Sequence, residues 1–109
     1  MNHQILEAAR TYIREVKQSP EYLEYEQQLG KIKQQEELYA KVNEFRKRNY
    51  ELQSSESSEN LMDRVEELER EYAGLREIPL VEDFLSAELA FCRMMQDADV
   101  LISRELDFQ

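Results

Sequence analysis

The sequence has few of the residues that interrupt helices or build turns. Its 109 residues include two glycines and two prolines, which is too little glycine for a phosphate-binding loop or a serine-hydrolase elbow. No segment alternates apolar and polar residues with a period of two, so no strand is predicted. We therefore expect an all-α protein whose long helices are joined by few, short connections.

Cysteine and histidine are equally scarce. Cys92 is the single cysteine and His3 the single histidine. One cysteine cannot form an internal disulfide, and a secreted domain of this size would normally be stapled by several, so we expect a cytoplasmic protein. Because a cysteine nucleophile needs a base beside it, Cys92 is predicted to be a small buried apolar residue instead. His3 alone does not make a metal site.

Basic residues are outnumbered. The chain has 14 lysines and arginines against 24 aspartates and glutamates, for a formal net charge of −10. Such a molecule repels phosphate backbones and anionic lipid head groups. No apolar run approaches the roughly 20 residues that a membrane-spanning helix needs. We expect neither direct nucleic-acid binding nor membrane insertion.

Apolar residues at helical spacing divide the first half of the chain. Residues 2–17 are predicted to form an amphipathic helix, and Ser19 with Pro20 is typical of the start of the next one. The helical pattern continues to Leu52, with Gly30 marking a candidate break near residues 30 to 35. The serine-rich stretch at 54–60 has no apolar residue and is predicted to be a loop.

The second half carries two apolar stripes. The first alternates four and three residues apart, which is typical of a helix packed against other helices. Pro79 then ends that helix or begins the next. The last helix, at about 80–106, carries a broader stripe. The narrow stripe consists of Leu61, Val65, Leu68, Tyr72 and Leu75, and the broad one of Val81, Phe84, Phe91, Met95, Ala98, Ile102 and Leu106.

These stripes predict the fold. Residues 1–109 have room for a single helical domain, which we expect to be an elongated antiparallel helical bundle or hairpin. The two striped helices would lie antiparallel to each other, with the amino-terminal helices covering them or reaching across the dimer. A chain this small leaves apolar surface uncovered, so its core is expected to be completed by a second copy, in a homodimer or a higher homo-oligomer.

A carboxylate, Glu88, lies in the middle of the broad stripe. At ~100° per residue it points in nearly the same direction as Phe84. An unpaired buried carboxylate costs several kcal/mol, so Glu88 needs a partner, either Arg46 beside Phe45 or a tyrosine hydroxyl. The alternative is a metal ligand or general base acting with Asp99. Four-helix carboxylate sites also use Glu-x-x-His, which the chain lacks, so an ion pair is the stronger hypothesis.

Three segments, taken together, resemble a known family. They are SPEYLEYEQ, NEFRKRNYELQ and IPLVEDFLSAELAFCRMM, and the likeness extends from about residue 8 to residue 106. In order and spacing they are similar to the YlbF/YmcA family of small bacterial helical proteins, which includes YheA-like members. The resemblance implies a cytoplasmic, self-associating protein without catalytic activity. It also implies a role in competence, sporulation and biofilm formation, in complex with a YaaT-like protein that influences mRNA processing by RNase Y.

The resemblance also links that complex to iron–sulfur clusters, which require several thiolate ligands. With Cys92 as the one thiol, we expect no cofactor on this chain alone. The leading hypothesis is a non-enzymatic regulatory adaptor whose partners are YmcA-, YlbF- or YaaT-like proteins and RNase Y. A structural or chaperone-like coiled-coil assembly protein is the alternative, and a metal-dependent enzyme using Glu88 and Asp99 is the third hypothesis.

Overall fold

A computed structural model describes the backbone of residues 2–55 and 58–107, and the side chains of residues 2–54 and 60–107. Within these ranges the regular structure is helical, without any strand, which confirms the predicted all-α fold. In chain order the helices are α1 (His3–Gln18), α2 (Pro20–Lys33), α3 (Glu36–Ser55), α4 (Ser58–Glu71), α5 (Ala73–Arg76) and α6 (Pro79–Leu106). None of these helices is long and apolar enough to cross a membrane.

Local capping explains where the first helices begin and end. The Asn2 side chain accepts hydrogen bonds from the first-turn amides of α1. The Ser19 hydroxyl donates to the carbonyl of Val16 at 2.6 Å and accepts from the amide of Tyr22 at 3.2 Å. It therefore ends α1 and caps α2, and Pro20 occupies the first helical position, where its missing N–H costs nothing. The predicted boundary at Ser19 is confirmed.

Helix α2 packs antiparallel on the first half of α6, in the most extensive contact between helices. The ring of Tyr22 meets Phe91 edge-on, with centroids 5.5 Å apart. Tyr25 stacks on both Phe84 and Phe91, at 5.9 and 5.2 Å. Later positions on α2 thus meet earlier positions on α6, and the aromatic contacts set the register between the helices.

Helix α4 packs along α3, not along α6. The rings of Phe45 and Tyr72 lie 5.2 Å apart, and Arg48 pairs with Glu71 at 2.6 Å. In the described part of the chain α4 makes no extended contact with α6. The predicted antiparallel pairing of the two striped helices is therefore wrong, because α2 occupies the apolar stripe of α6 and leaves the narrow stripe of α4 to α3.

The narrow stripe is not one continuous helix. Tyr72 leaves the helical conformation, with φ −108° and ψ 18°, and separates α4 from α5. Gly74, a poor helix former, lies two residues further on. The prediction of a single helix from Leu61 to Leu75 is thus wrong at Tyr72. The break turns the chain so that Leu75 enters the core beside Leu68.

The sequence predicts two further interruptions of the helical pattern, a break near residues 30 to 35 and a loop at 54–60. Helix α2 runs through Gly30 and ends at Lys33, so the break predicted near residues 30 to 35 lies at Gln34 and Gln35. Within the loop predicted at 54–60, α3 extends to Ser55 and α4 starts at Ser58, so the loop prediction is wrong for the described part of that stretch. Residues 56 and 57 of that predicted loop lie outside the described residues.

One cluster of buried side chains forms the core, and α1 contributes nothing to it. The molecule measures 48 × 38 × 21 Å and its radius of gyration is 17.3 Å, against about 13 Å for a compact domain of this length. The predicted elongated shape is confirmed, whereas completion of the core by a second copy stays a prediction. The buried cluster consists of Ile32, Val42, Phe45, Leu68, Leu75, Val81 and Phe84.

Replacing Phe84 by alanine tests whether the contact between α2 and α6 holds the fold together. Phe84 is fully buried, so Phe84→Ala should lower the free energy of unfolding by about 3–5 kcal/mol, measured by urea denaturation and circular dichroism. Leu89→Ala, on the same helix but half exposed, is the control and should lose under about 1 kcal/mol. Equal losses would contradict this assignment of the buried side of α6.

Candidate functional site

The inward-facing carboxylate of α6 is neutralised by a cation from α3. Glu88 forms an ion pair with Arg46, and their side chains are 22% and 33% exposed. The Arg46 guanidinium also lies over the Phe84 ring, 5.3 Å from its centroid, and donates to the side-chain oxygen of Asn43 at 2.9 Å. Arg46 therefore compensates the charge of Glu88 and also covers the core.

The nearby phenol of Tyr25 is protonated at neutral pH. Burial raises its pKa above the ordinary value of 10, Arg46 works against that rise, and the charge of Glu88 adds to it. The phenol therefore keeps its proton at neutral pH, and its ring is stacked on two phenylalanines. Tyr25 and the ion pair together thus form a wall where α2, α3 and α6 meet.

The structure does not bring Glu88 and Asp99 together. Glu88 borders a groove between α3 and α6, while Asp99 borders a separate cleft between α1 and α6. Among the described residues no group of three or more histidine, cysteine, aspartate or glutamate side chains is placed to hold a metal ion. His3 is exposed at the start of α1. The carboxylates proposed for a metal-dependent enzyme are therefore not arranged as one site.

The α3/α6 groove is an open depression beside α6. It lies between the side of α3 from Asn43 to Ser54 and the side of α6 from Leu85 to Cys92, with a volume of about 800 Å³. Two large apolar side chains project at its edges, Tyr50 at 74% exposure and Leu89 at 50%. The groove therefore offers apolar surface that nothing within the described chain covers.

Cys92 opens onto this groove, so the prediction that it is buried is wrong. Its direction on α6 lies ~80° from that of Phe84, outside the strip that α2 covers. The helices α3 and α6 make no extended contact in the described part of the chain. A residue on this flank of α6 is consequently exposed although it is small and apolar.

The α1/α6 cleft is another open depression beside α6. It has a volume of about 380 Å³ and is lined on α1 by Ala9, Tyr12, Ile13 and Val16. The helices touch where the Tyr12 hydroxyl approaches the sulfur of Met95 at 3.9 Å. Beyond this contact, large apolar side chains on both helices are exposed to solvent. The exposed apolar side chains there are Ile5, Ile13, Ile102 and Leu106.

A polar network ties the end of α4 to α3. Arg48 donates to Glu71 at 2.6 Å and to the Tyr72 hydroxyl at 3.1 Å, and that hydroxyl donates to Glu44 at 2.9 Å. The hydrogen bond from Arg48 holds the pKa of Glu71 below its usual range, and the pKa of Arg48 is raised in turn. Both charged side chains are solvent-exposed, so the network orients α4 relative to α3 and contributes little to the free energy of folding.

The sequence-predicted candidates are divided between core and surface. Phe45, Leu68 and Phe84 are buried, and Ile102 is exposed. The remaining candidates are half-buried, namely Arg46, Leu61, Val65, Tyr72, Glu88, Phe91 and Met95. Their role at an interface stays a prediction. Sequence reasoning missed Tyr50 and Leu89, because both lie off the apolar stripes and only the divergence of α3 from α6 exposes them together.

Comparison with known proteins gives one family. The family model described as control of competence regulator ComK, YlbF/YmcA, matches residues 5–107. The match extends over all the helices that border the two depressions except the first two residues of α1. No curated protein and no solved structure matches the chain.

A double-mutant cycle measures whether Arg46 and Glu88 stabilise the fold as a pair. Arg46→Gln, Glu88→Gln and the double variant should reveal a coupling free energy of about 1 kcal/mol in urea denaturation, because each single variant leaves a half-buried charge unpaired. The matched control is Arg48 and Glu71, whose greater exposure predicts a smaller coupling that high salt removes. A coupling of zero at Arg46 and Glu88 would show that they are not a stabilising pair.

Proposed function

Because the chain belongs to the YlbF/YmcA family, which is described as control of competence regulator ComK, we propose that it is a non-enzymatic cytoplasmic adaptor. The observation that carries this proposal is the arrangement around α6. Its one inward-facing carboxylate, Glu88, is paired with Arg46, while open apolar surface lies on both of its flanks. Such surface is typical of proteins that act by binding other proteins.

We propose that the process is developmental regulation, meaning competence together with sporulation and biofilm formation. The family description supports the competence part directly. The likeness of SPEYLEYEQ, NEFRKRNYELQ and IPLVEDFLSAELAFCRMM to family members supports the extension to RNase Y-dependent mRNA processing, with a YaaT-like protein as a partner. The net charge of −10 supports contact with RNase Y or its partners rather than with the RNA itself.

The α3/α6 groove is the surface we propose for a different protein. It combines apolar anchors at Tyr50 and Leu89 with the side-chain amides of Asn43, Asn49 and Gln53. Exposed aromatic and aliphatic anchors bordered by polar groups match the pattern by which a groove receives the apolar side of a partner helix. The Arg46–Glu88 pair fixes the wall of the groove, so that the site is formed before binding.

The chain is also proposed to self-associate, with a second copy of itself as partner. The exposed apolar residues of α1 and of the last turns of α6 support this proposal, since a monomer leaves them in water. A homodimer would present two α3/α6 grooves, and each would add to the binding of a multivalent partner.

Affinity capture from the protein's own cells tests the adaptor proposal. The wild-type chain should retain one or two specific proteins, a YaaT-like protein or RNase Y among them, and Leu89→Glu should lose them because it places a charge on the apolar anchor. Leu23→Glu, a similarly exposed leucine on α2 outside the groove, is the matched control and should retain them.

Circular dichroism of both variants must match the wild type for this comparison to hold. Capture of a broad set of unfolded proteins would instead favour a chaperone-like assembly. Retention of the same partners by Leu89→Glu would show that the α3/α6 groove is not the docking surface.

A further inference from the structure

Helix α1 lacks support within its own chain. It has 16 residues and an apolar stripe, yet none of its residues is buried. In proteins most of the stability of a helix comes from tertiary packing of its apolar side and not from the intrinsic helix propensity of its residues. Within the described chain, α1 contacts α2 near Ser19 and reaches α6 through Tyr12 and Met95. Its apolar stripe therefore needs a surface that this copy does not supply.

The second half of α6 likewise lacks a packing surface within the described chain. Helix α6 has 28 residues and α2 has 14, so they are about 42 and 21 Å long. The start of α2 lies at Phe91, because Tyr22 contacts that ring. The turns of α6 beyond Met95 thus extend past the helix that covers the first half, and Ile102 and Leu106 are exposed there.

The two uncovered elements carry opposite charge. Helix α1 has three cations, Arg10, Arg14 and Lys17, against two glutamates, for a net charge of +1 in a chain of −10. Residues 97–107 have four carboxylates against Arg104, for a net charge of −3. Each of the two elements therefore combines an exposed apolar stripe with a net charge opposite to that of the other. Every copy of the chain carries both elements, so two copies are complementary to each other.

We propose that α1 of one copy packs on the second half of α6 of another copy, with the reciprocal contact made at the same time about a two-fold axis. In this arrangement a single type of contact, made twice, covers both α1 and the second half of α6 in each copy. The inference rests on the proposed self-association and identifies where it occurs. The cleft at Tyr12 and Met95 is the hinge region from which α1 leaves its own α6.

Lys17 and Asp99 provide a specific contact for this arrangement. Both line the α1/α6 cleft, one from each helix. Neither has an ion-pair partner in the part of the chain that the structure describes. In the two-fold assembly Lys17 of each copy lies against Asp99 of the other, where the apolar stripes on either side lower the local dielectric.

The first experiment compares assembly states by sedimentation velocity and light scattering. Ile102→Glu should raise the dissociation constant of the dimer about a hundredfold, because it places a charge in each copy of the apolar interface. Leu23→Glu is the matched control, an exposed leucine on α2 that borders neither the α1/α6 cleft nor the α3/α6 groove, at 55% exposure against 41% for Ile102. It should dimerise as the wild type does.

A second experiment separates contact between copies from contact within one copy. Lys17→Glu and Asp99→Lys should each weaken self-association about tenfold at low salt, since each places like charges opposite one another. An equal mixture of the two variants should restore it, because both contacts of the mixed dimer then join opposite charges. Single variants that dissociate and are not restored on mixing would overturn the exchange of α1 between copies.

The outcomes distinguish the inference from the proposal beneath it. A wild-type chain that stays monomeric at all concentrations overturns self-association and this interface together, but leaves partner capture through the α3/α6 groove untouched. A wild-type dimer that persists in Ile102→Glu overturns only the interface assigned here.

Discussion

The aromatic contact between α2 and the first half of α6 organises the molecule. Tyr22 and Tyr25 set the register on Phe84 and Phe91, and this contact brings α6 to the core formed with α3, α4 and α5. Because α2 is half as long as α6, the same contact that buries one half of α6 leaves the other half without a neighbour. The flat, open shape and the exposed cleft at α1 both follow from this difference in length.

The ion pair between Arg46 and Glu88 defines the limit of the buried surface on α6. Glu88 lies on the stripe that enters the core, and it is tolerated there because Arg46 arrives from α3 and covers Phe84 at the same time. A half-buried pair of this kind contributes modestly to stability. Its larger effect is geometric, since it holds α3 at a distance from α6 that leaves the α3/α6 groove open beside Tyr50 and Leu89.

Much of the local structure could be predicted from the sequence, because capping and helical spacing are local properties. Ser19 and Pro20 mark a helix boundary by their own hydrogen-bonding capacity, and the direction of Glu88 on its helix points it toward the core. The choice of neighbours could not be predicted. A stripe such as the one through Leu68 shows which side of α4 is buried, but either α3 or α6 satisfies it equally well.

The same limit explains the individual errors. The break at Tyr72 coincides with side-chain contacts to Glu44 and Arg48 on another helix, which spacing within α4 does not encode. The exposure of Cys92 follows from the divergence of α3 and α6, which is a property of the assembled fold. Surfaces formed by two separated segments, including both depressions beside α6, are therefore visible only once the helices are placed.

Hydrogen exchange followed by mass spectrometry, across a dilution series, examines the length mismatch between α2 and α6 in solution. The protection of amides in α2 and in the first half of α6 should not change with protein concentration, because their contacts lie within one chain. Protection of α1 and of the last turns of α6 should rise with concentration, as a second copy covers them. Protection of α1 that is high and unchanged on dilution would contradict this account.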